Sequence, residues 1–445
     1  MGVLVQISQF VLSLSILIVL HELGHFIPAR LFKTRVEKFY LFFDPWFSLF
    51  KIKKGETEYG IGWLPLGGYV KISGMIDESM DKEQMKLPPQ EWEFRSKPAW
   101  QRLIIMVGGV TVNVILGMLL YAMVLYNWGE TSLPKENLPY GIACDSLALK
   151  MGLKDGDMVM GIDNKEVHNF NSIQPTIVLD GAKSIQVLRN HKRADVPVTP
   201  DDISDLVKNA KNPFIAVRFP AVIDSVIKGM PADSMGLKVG DHILSTNGKS
   251  TMYFHEVQRE ISDHPYTLAR MTILRGNDTL RKFIPINGAG TIGFYPTSPD
   301  KFLKFETIHY TFGESFPAGI RKAKNTIKSY IKQFAVIFTV KDAHKQLGGF
   351  GTIASAYTTY WDWENFWGFT AFLSIVLAIM NILPIPALDG GHVMFLLYEI
   401  VTRRKPNEKV MEYAQYAGMF LLVALLLYAN GNDVAKWLSG LFHHK

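Results

Sequence analysis

Four stretches of the chain are almost wholly apolar: Val3 to Phe26, Leu103 to Tyr126, Phe366 to Ala387 and Tyr413 to Tyr428. A hydrocarbon core about 30 Å thick is crossed by about 20 apolar helical residues, so each stretch is predicted to span a membrane. Elsewhere the pattern changes. Residues 37–74 alternate with period two and are rich in aromatic and β-branched side chains, and Lys54-Gly55-Glu56-Thr57 predicts a turn between two strands. Between the second and third apolar stretches, short strand-like runs are broken by turn residues. Over 313–345 the apolar positions Ile320, Ile327, Tyr330, Ile331, Phe334 and Ile337 fall at helical spacing with lysines between them. That predicts one amphipathic helix, packed on its neighbours or lying on a membrane surface. Lys82 to Arg102, with Trp92 and Trp100, reads as a surface helix or lead-in to the second span.

A repeat organises the long middle region. Met151-Gly-Leu-Lys-Asp-Gly-Asp157 recurs as Met235-Gly-Leu-Lys-Val-Gly-Asp241, each followed by an apolar strand and an Asn-containing turn. Two copies of one small domain are therefore expected, the first from about Gly141 to Pro200 and the second from about Asn212 to Pro285. The pattern resembles tandem PDZ domains of the protease-associated type. Such domains bind peptide ends beside a strand or act as a steric gate, and the gate is the preferred reading.

Composition and charge refine this plan. Of the 445 residues 48% are hydrophobic, which fits spans joined to water-soluble modules, and the net charge of +6 comes without a dense basic run, so no nucleic-acid partner is expected. The single cysteine, Cys144, leaves any metal site to His and carboxylates. Basic residues follow the first span (Arg30, Lys33, Arg35, Lys38, Lys51, Lys53, Lys54) and separate the third from the fourth (Arg403, Arg404, Lys405). By the positive-inside rule both loops are cytoplasmic, and the N-terminus, the repeats and the C-terminus lie outside. No basic residue precedes the first apolar stretch and no small-residue cleavage site follows it, which argues against a secretory signal.

The chemistry sits inside the spans. His21-Glu22-Leu23-Gly24-His25 has the form H-E-x-x-H, and residues four apart share a helix face, so both imidazoles can reach one ion with Glu22 beside them. Ionisable groups within an apolar span are costly unless paired or metal-bound. Two neutral nitrogens suit Zn²⁺, which takes a third protein ligand and leaves a position for water. The third stretch ends in Asn381-Ile-Leu-Pro-Ile-Pro-Ala-Leu-Asp389-Gly-Gly-His392. Asp389 can complete a His2Asp site at the same depth; His392 is the rival ligand.

These paired motifs, H-E-x-x-H early and N-x-x-P-x-P-x-L-D-G late, resemble the site-2 protease family of intramembrane zinc metalloproteases, its bacterial RseP-type branch in particular. The likeness extends to the order of spans and to Pro65-Leu-Gly-Gly-Tyr-Val70. It implies cleavage of single-span membrane proteins, such as truncated anti-sigma factors or remnant signal peptides, in a bacterial inner membrane. It also implies that His21, His25 and Asp389 bind zinc, that Glu22 is catalytic, and that Asn381, Pro384 and Pro386 position substrate. Two departures, Asp44-Pro45 for a Gly-Pro pair and Gly348-Gly349-Phe350 for a Gly-Gly-Pro turn, bear on substrate preference.

The expected fold is thus membrane α-helical, with four transmembrane helices, a membrane-associated β-hairpin loop and two extracytoplasmic PDZ domains. The expected segments are span one (1–27), a cytoplasmic loop with the β-loop (28–102), span two (103–127), PDZ domains (128–211 and 212–290), an amphipathic region (291–362), span three (363–388), a cytoplasmic loop (389–411), span four (412–430) and a tail (431–445). The apolar run Phe39 to Phe50 wants a lipid or protein surface. It belongs either to a hairpin dipping toward the bilayer or to a small β-domain packed on itself. Two rival functions use the same features without proteolysis, a membrane-anchored PDZ scaffold and a metal transporter. A scaffold has no need of Glu22 between two histidines. A carrier wants polar groups along several spans, where spans two and four offer little beyond Asn113 and Gln415.

Overall fold

The computed structural model describes residues 2–65, 67–75, 88–210 and 212–442. The chain forms two compact units. A helical unit comprises Met1–Gly129, His309–Ile331 and Lys345–Lys445, and a repeat unit comprises Glu130–Ile308 and Lys332–His344.

Among the described residues of the helical unit, four helices are long and apolar enough to cross a membrane: Gly2–Leu31, Ala99–Asn127, Trp363–Ile382 and Glu408–Ser439. They overlap the four expected spans but differ from them in extent, most consequentially at the third and fourth. The third helix stops at Ile382 instead of Ala387. Leu383 is extended (φ −57°, ψ 141°) because the residue before a proline is driven out of the helical region, and Pro384 and Pro386 cannot continue the helix. A separate helix, Asp389–Thr402, follows. The fourth helix begins at Glu408 and continues to Phe442, through most of the stretch read as a tail.

Spans one and two meet glycine to glycine. A Cβ on Gly24 would lie 2.5 Å from the Gly108 carbonyl oxygen, and one on Gly108 would lie 1.9 Å from that of Gly24. Without a hydrophobic drive between helices in lipid, such close backbone contact is what binds them. Polar side chains add to it: Ser374 Oγ donates to Asn113 O (2.7 Å), and Thr370 Oγ1 to Ser13 Oγ (3.0 Å).

After span one come strands β1 (Val36–Leu41), β2 (Phe43–Lys54), β3 (Thr57–Leu64) and β4 (Tyr69–Ile72), in the sheet order β2-β3-β1-β4. The β2–β3 turn falls at Gly55, with φ +65°. On β2, Trp46 is 91% exposed, and Phe47, Leu49, Phe50 and Ile52 are exposed with it. β4 is the opposite edge of the sheet. Leu66, within the Pro65–Val70 segment, lies outside the described residues, as do residues 82–87 of the expected lead-in to span two. Phe94–Ser96 form a short 3₁₀ turn, and the span begins at Ala99.

The repeat unit holds two copies of one sheet. In each, four strands follow the same order: 192–197, 184–189, 158–162, 165–166 in the first, and 278–285, 268–275, 242–246, 249–250 in the second. Each adds a two-stranded pair, Ile142–Cys144 with Ile215–Val217 and Ile223–Val226 with Phe294–Pro296. The first copy therefore runs past residue 211, and the second past 290, because each is closed by a strand from its far end. The repeated Gly-Asp has one job in both. Asp157 is gripped by Arg189 (2.8 and 2.7 Å) and Asp241 by Arg275 (2.7 and 2.7 Å), and each Arg also donates to the repeat's own Gly carbonyl, Gly152 or Gly236. The copies are tied by Arg259, which donates to Asp155 Oδ2 (3.1 Å) and Cys144 O (2.7 Å). The amphipathic segment forms one helix, Phe312–Thr339.

Candidate metal centre

His21, Glu22 and His25 occupy adjacent turns of the first span and are 8%, 9% and 7% exposed. They stay inside because span two presents no side chain there: a Cβ on Gly109 would meet His25 Nε2 at 2.4 Å and His21 Cε1 at 2.6 Å. His25 Nδ1 lies 2.8 Å from Ile105 O. A carbonyl only accepts, so Nδ1 carries the proton and Nε2 is left bare. His21 Nδ1 lies 3.1 Å from the Asn113 side-chain amide, whose Oδ1 is otherwise buried without a partner. A half-turn of that amide brings Oδ1 to Nδ1–H, which pairs those two atoms and leaves Nε2 of His21 unprotonated as well.

The two bare nitrogens are 3.3 Å apart. Asp389 Oδ2 closes the triangle, 3.4 Å from His21 Nε2 and 3.3 Å from His25 Nε2. It is buried and has no hydrogen-bond partner. Among the described residues, His21, His25 and Asp389 are the group of His, Cys, Asp or Glu whose ligand atoms converge in this way, and His392 is not part of it. Asp389 opens the helix Asp389–Thr402 instead of ending the third span. The turn before it is tight: Ala387 has φ +77°, and a Cβ on Gly390 would lie 2.1 Å from Leu383 O, so only glycine fits.

The donor set fits zinc. A tetrahedral ion with arms of about 2.0–2.1 Å separates its ligand atoms by about 3.3 Å, the edge length found here. Two bare imidazole nitrogens and one unpartnered carboxylate oxygen supply the N2O donors such an ion takes.

A cavity of ≈ 980 Å³ opens on this triangle. Glu22 lines it beside His21 and His25, with Asn381, Asp44, Lys38 and the whole of β4 (Tyr69–Ile72). The Asn381 amide is 3.1 Å from His21 Nε2. Pro384 and Pro386 shape the turn that leads to Asp389. Asp44 accepts from the Tyr69 hydroxyl (2.8 Å) and from Ser48 Oγ (3.0 Å), and Tyr69 stacks on Tyr40 and Phe43. Burial, then the bond to Asp44, holds the Tyr69 hydroxyl well above its ordinary pKa. Asn113 is a residue that sequence reasoning leaves without a role; the available signal is an amide within an apolar span, which costs energy unless it is used.

The family model described as peptidase family M50 matches residues 9–425. A protein of Neisseria meningitidis serogroup A, named as a candidate zinc metalloprotease, is 27% identical over 97% of this chain and 99% of its own length. One of Campylobacter jejuni with the same kind of name is 28% identical over 97% of this chain and 94% of its own. The regulator of sigma E protease of Haemophilus influenzae is 25% identical over 98% of this chain and 100% of its own. The match begins before the first motif and ends within the fourth span, so the chain belongs to peptidase family M50 and is a zinc-dependent metalloprotease of the membrane.

Proposed function

We propose that this enzyme hydrolyses single-span membrane proteins within the bilayer, at a zinc ion held by His21, His25 and Asp389, with Glu22 as the general base. One observation carries the reading: three ligand atoms from distant parts of the chain form a triangle of 3.3–3.4 Å edges, and Glu22 shares their cavity. Zinc bound there activates water near neutral pH and polarises a carbonyl. Glu22 takes the proton from the attacking water and returns it to the leaving amine. Asn381, at the rim of the triangle, donates to the substrate backbone, and the Pro384–Pro386 turn keeps that rim in place.

A transmembrane substrate hides its peptide groups in its own helix, and unwinding leaves them unsatisfied in lipid. Strand β4, an edge of the sheet among the described residues, lines the cavity and offers the missing partners by strand addition. The exposed aromatic face of β2 then rests against lipid. The paired repeats act as PDZ-type modules outside the membrane that exclude bulky ectodomains, and the basic loops support an active site facing the cytoplasm of a bacterial inner membrane. Truncated anti-sigma factors and remnant signal peptides are the substrate class this selects.

The test is Glu22→Gln in purified protein with a single-span reporter. Zinc content is expected to stay at the level of the unaltered protein while cleavage falls by about 10²- to 10⁴-fold. Cleavage at the unaltered rate would remove Glu22 from the mechanism.

A further inference from the structure

The turn that delivers Asp389 is gripped from the fourth span. Gln415 is 6% exposed, on a helix whose other side chains mostly face outward. Its Oε1 accepts from the N–H of Ala387, 3.2 Å away. Ala387 is the residue with φ +77°, a conformation that an L residue holds only when its surroundings enforce it. One turn further along the same helix, a Cβ on Gly418 would lie 1.7 Å from the Pro386 carbonyl oxygen and 2.4 Å from its carbon. Gln415 and Gly418 are three residues apart and share a face. Together they hold both sides of the Pro386–Ala387 peptide, two residues before Asp389. The metal triangle itself uses neither residue.

We propose that Gln415 and Gly418 are positioning residues for the metal ligand Asp389. An amide buried in an apolar span is costly unless it has a task, and here it supplies the acceptor for the part-buried N–H of a residue with positive φ. Gly418 lets the helix backbone lie against the turn and block its retreat. The fourth span thereby sets where the carboxylate stands before any ion arrives, as outer groups do for metal ligands generally. The proposal rests on Asp389 being a ligand.

The experiment uses the full-length protein in detergent. Gln415→Met keeps the volume and removes the acceptor, whereas Gln415→Glu keeps the acceptor. Gly418→Ala adds the clashing methyl. Gly431→Ala makes the same change on the same helix where a Cβ meets nothing within 4 Å. Zinc affinity is read by competition with a chromophoric chelator, and ligand geometry by the visible spectrum of the Co²⁺-substituted protein. Gln415→Met and Gly418→Ala are expected to weaken zinc about 10- to 100-fold, alter the Co²⁺ bands and lower kcat more than they raise KM. Gln415→Glu and Gly431→Ala are expected to match the unaltered protein. Unchanged zinc affinity and Co²⁺ bands in both Gln415→Met and Gly418→Ala would overturn the proposal. So would equal losses in Gly418→Ala and Gly431→Ala, which would mark a general effect on helix packing. An Asp389→Ala control separates the two readings: if it binds zinc as tightly as the unaltered protein, the ligand assignment itself has failed.

Discussion

Asp241 in the second repeat and Asp389 beside the third span each hold a carboxylate oxygen out of contact with water, yet their surroundings are opposite in kind. Asp241 is fully buried and lacks nothing: Arg275 meets both its oxygens at 2.7 Å, and the Lys238 N–H adds a third bond at 2.9 Å. Asp157 repeats the arrangement in the first copy. The Asp389 Oδ2 instead faces two imidazole nitrogens and has no hydrogen bond. A carboxylate that serves the fold brings its own counter-charge from the chain. One that serves a cofactor leaves an oxygen free for it. The same residue type is thus sorted by its partners alone into a structural role and, for Asp389, the proposed role of metal ligand.

The contrast can be broken at either end. Asp389→Ala is expected to lower zinc affinity by more than about 100-fold, beyond the loss typical of outer-shell changes, while the melting of the repeat unit is unaffected; elemental analysis and limited proteolysis of one sample would check both. Asp241→Ala should do the reverse. It strands Arg275, and breaking a buried pair costs about 3–5 kcal/mol; because Arg275 is partly exposed, the lower end is expected in a denaturant titration of the repeat unit, with zinc content unchanged. A smaller effect separates the two by pH. Burial works against the charged form of Asp241, but the bonds from Arg275 and Lys238 outweigh it and hold its pKa below the ordinary carboxylate value. A depressed pKa stabilises the folded state above the unfolded value of about 3.9 and ceases to do so as pH falls through the folded value. Stability of the repeat unit should therefore drop as pH is taken below about 4, and Asp241→Asn should flatten that slope. The mildest test is Gly24→Ala, where a methyl would meet Gly108 O at 2.5 Å. Overpacking of this kind costs about 1–3 kcal/mol, and a lower melting temperature of the helical unit should accompany weaker zinc binding.

Much of this was legible in the sequence, for local reasons. The spans announce themselves by length and hydropathy, H-E-x-x-H by helical spacing, and the repeats by a seven-residue signature whose Gly-Asp proves structural. Other features depend on contacts the order of residues does not display. The prolines at 384 and 386 are plain to see, but the helix that follows them opens on a glycine pair and closes on a basic cluster, both of which read as loop. The strands Ile215–Val217 and Phe294–Pro296 belong to copies whose first strands lie some seventy residues earlier, so linear boundaries cut the copies short. Asn113 looks idle in the sequence because its partner, His21, is 92 residues away.

Asn381, and the turn beyond it that carries the proposed third ligand, stand 360 or more residues downstream of His21. At about 5–20 residues per second, roughly 20–70 s of translation separates the two histidines from the carboxylate. During that interval the nascent chain holds two of the three proposed ligands and no complete metal site. On the proposed ligand set, a message truncated anywhere in between yields a membrane-bound fragment without a complete metal site. Because both repeats are translated before Asp389, the proposed site is completed only after the modules that lie between its ligands have been made.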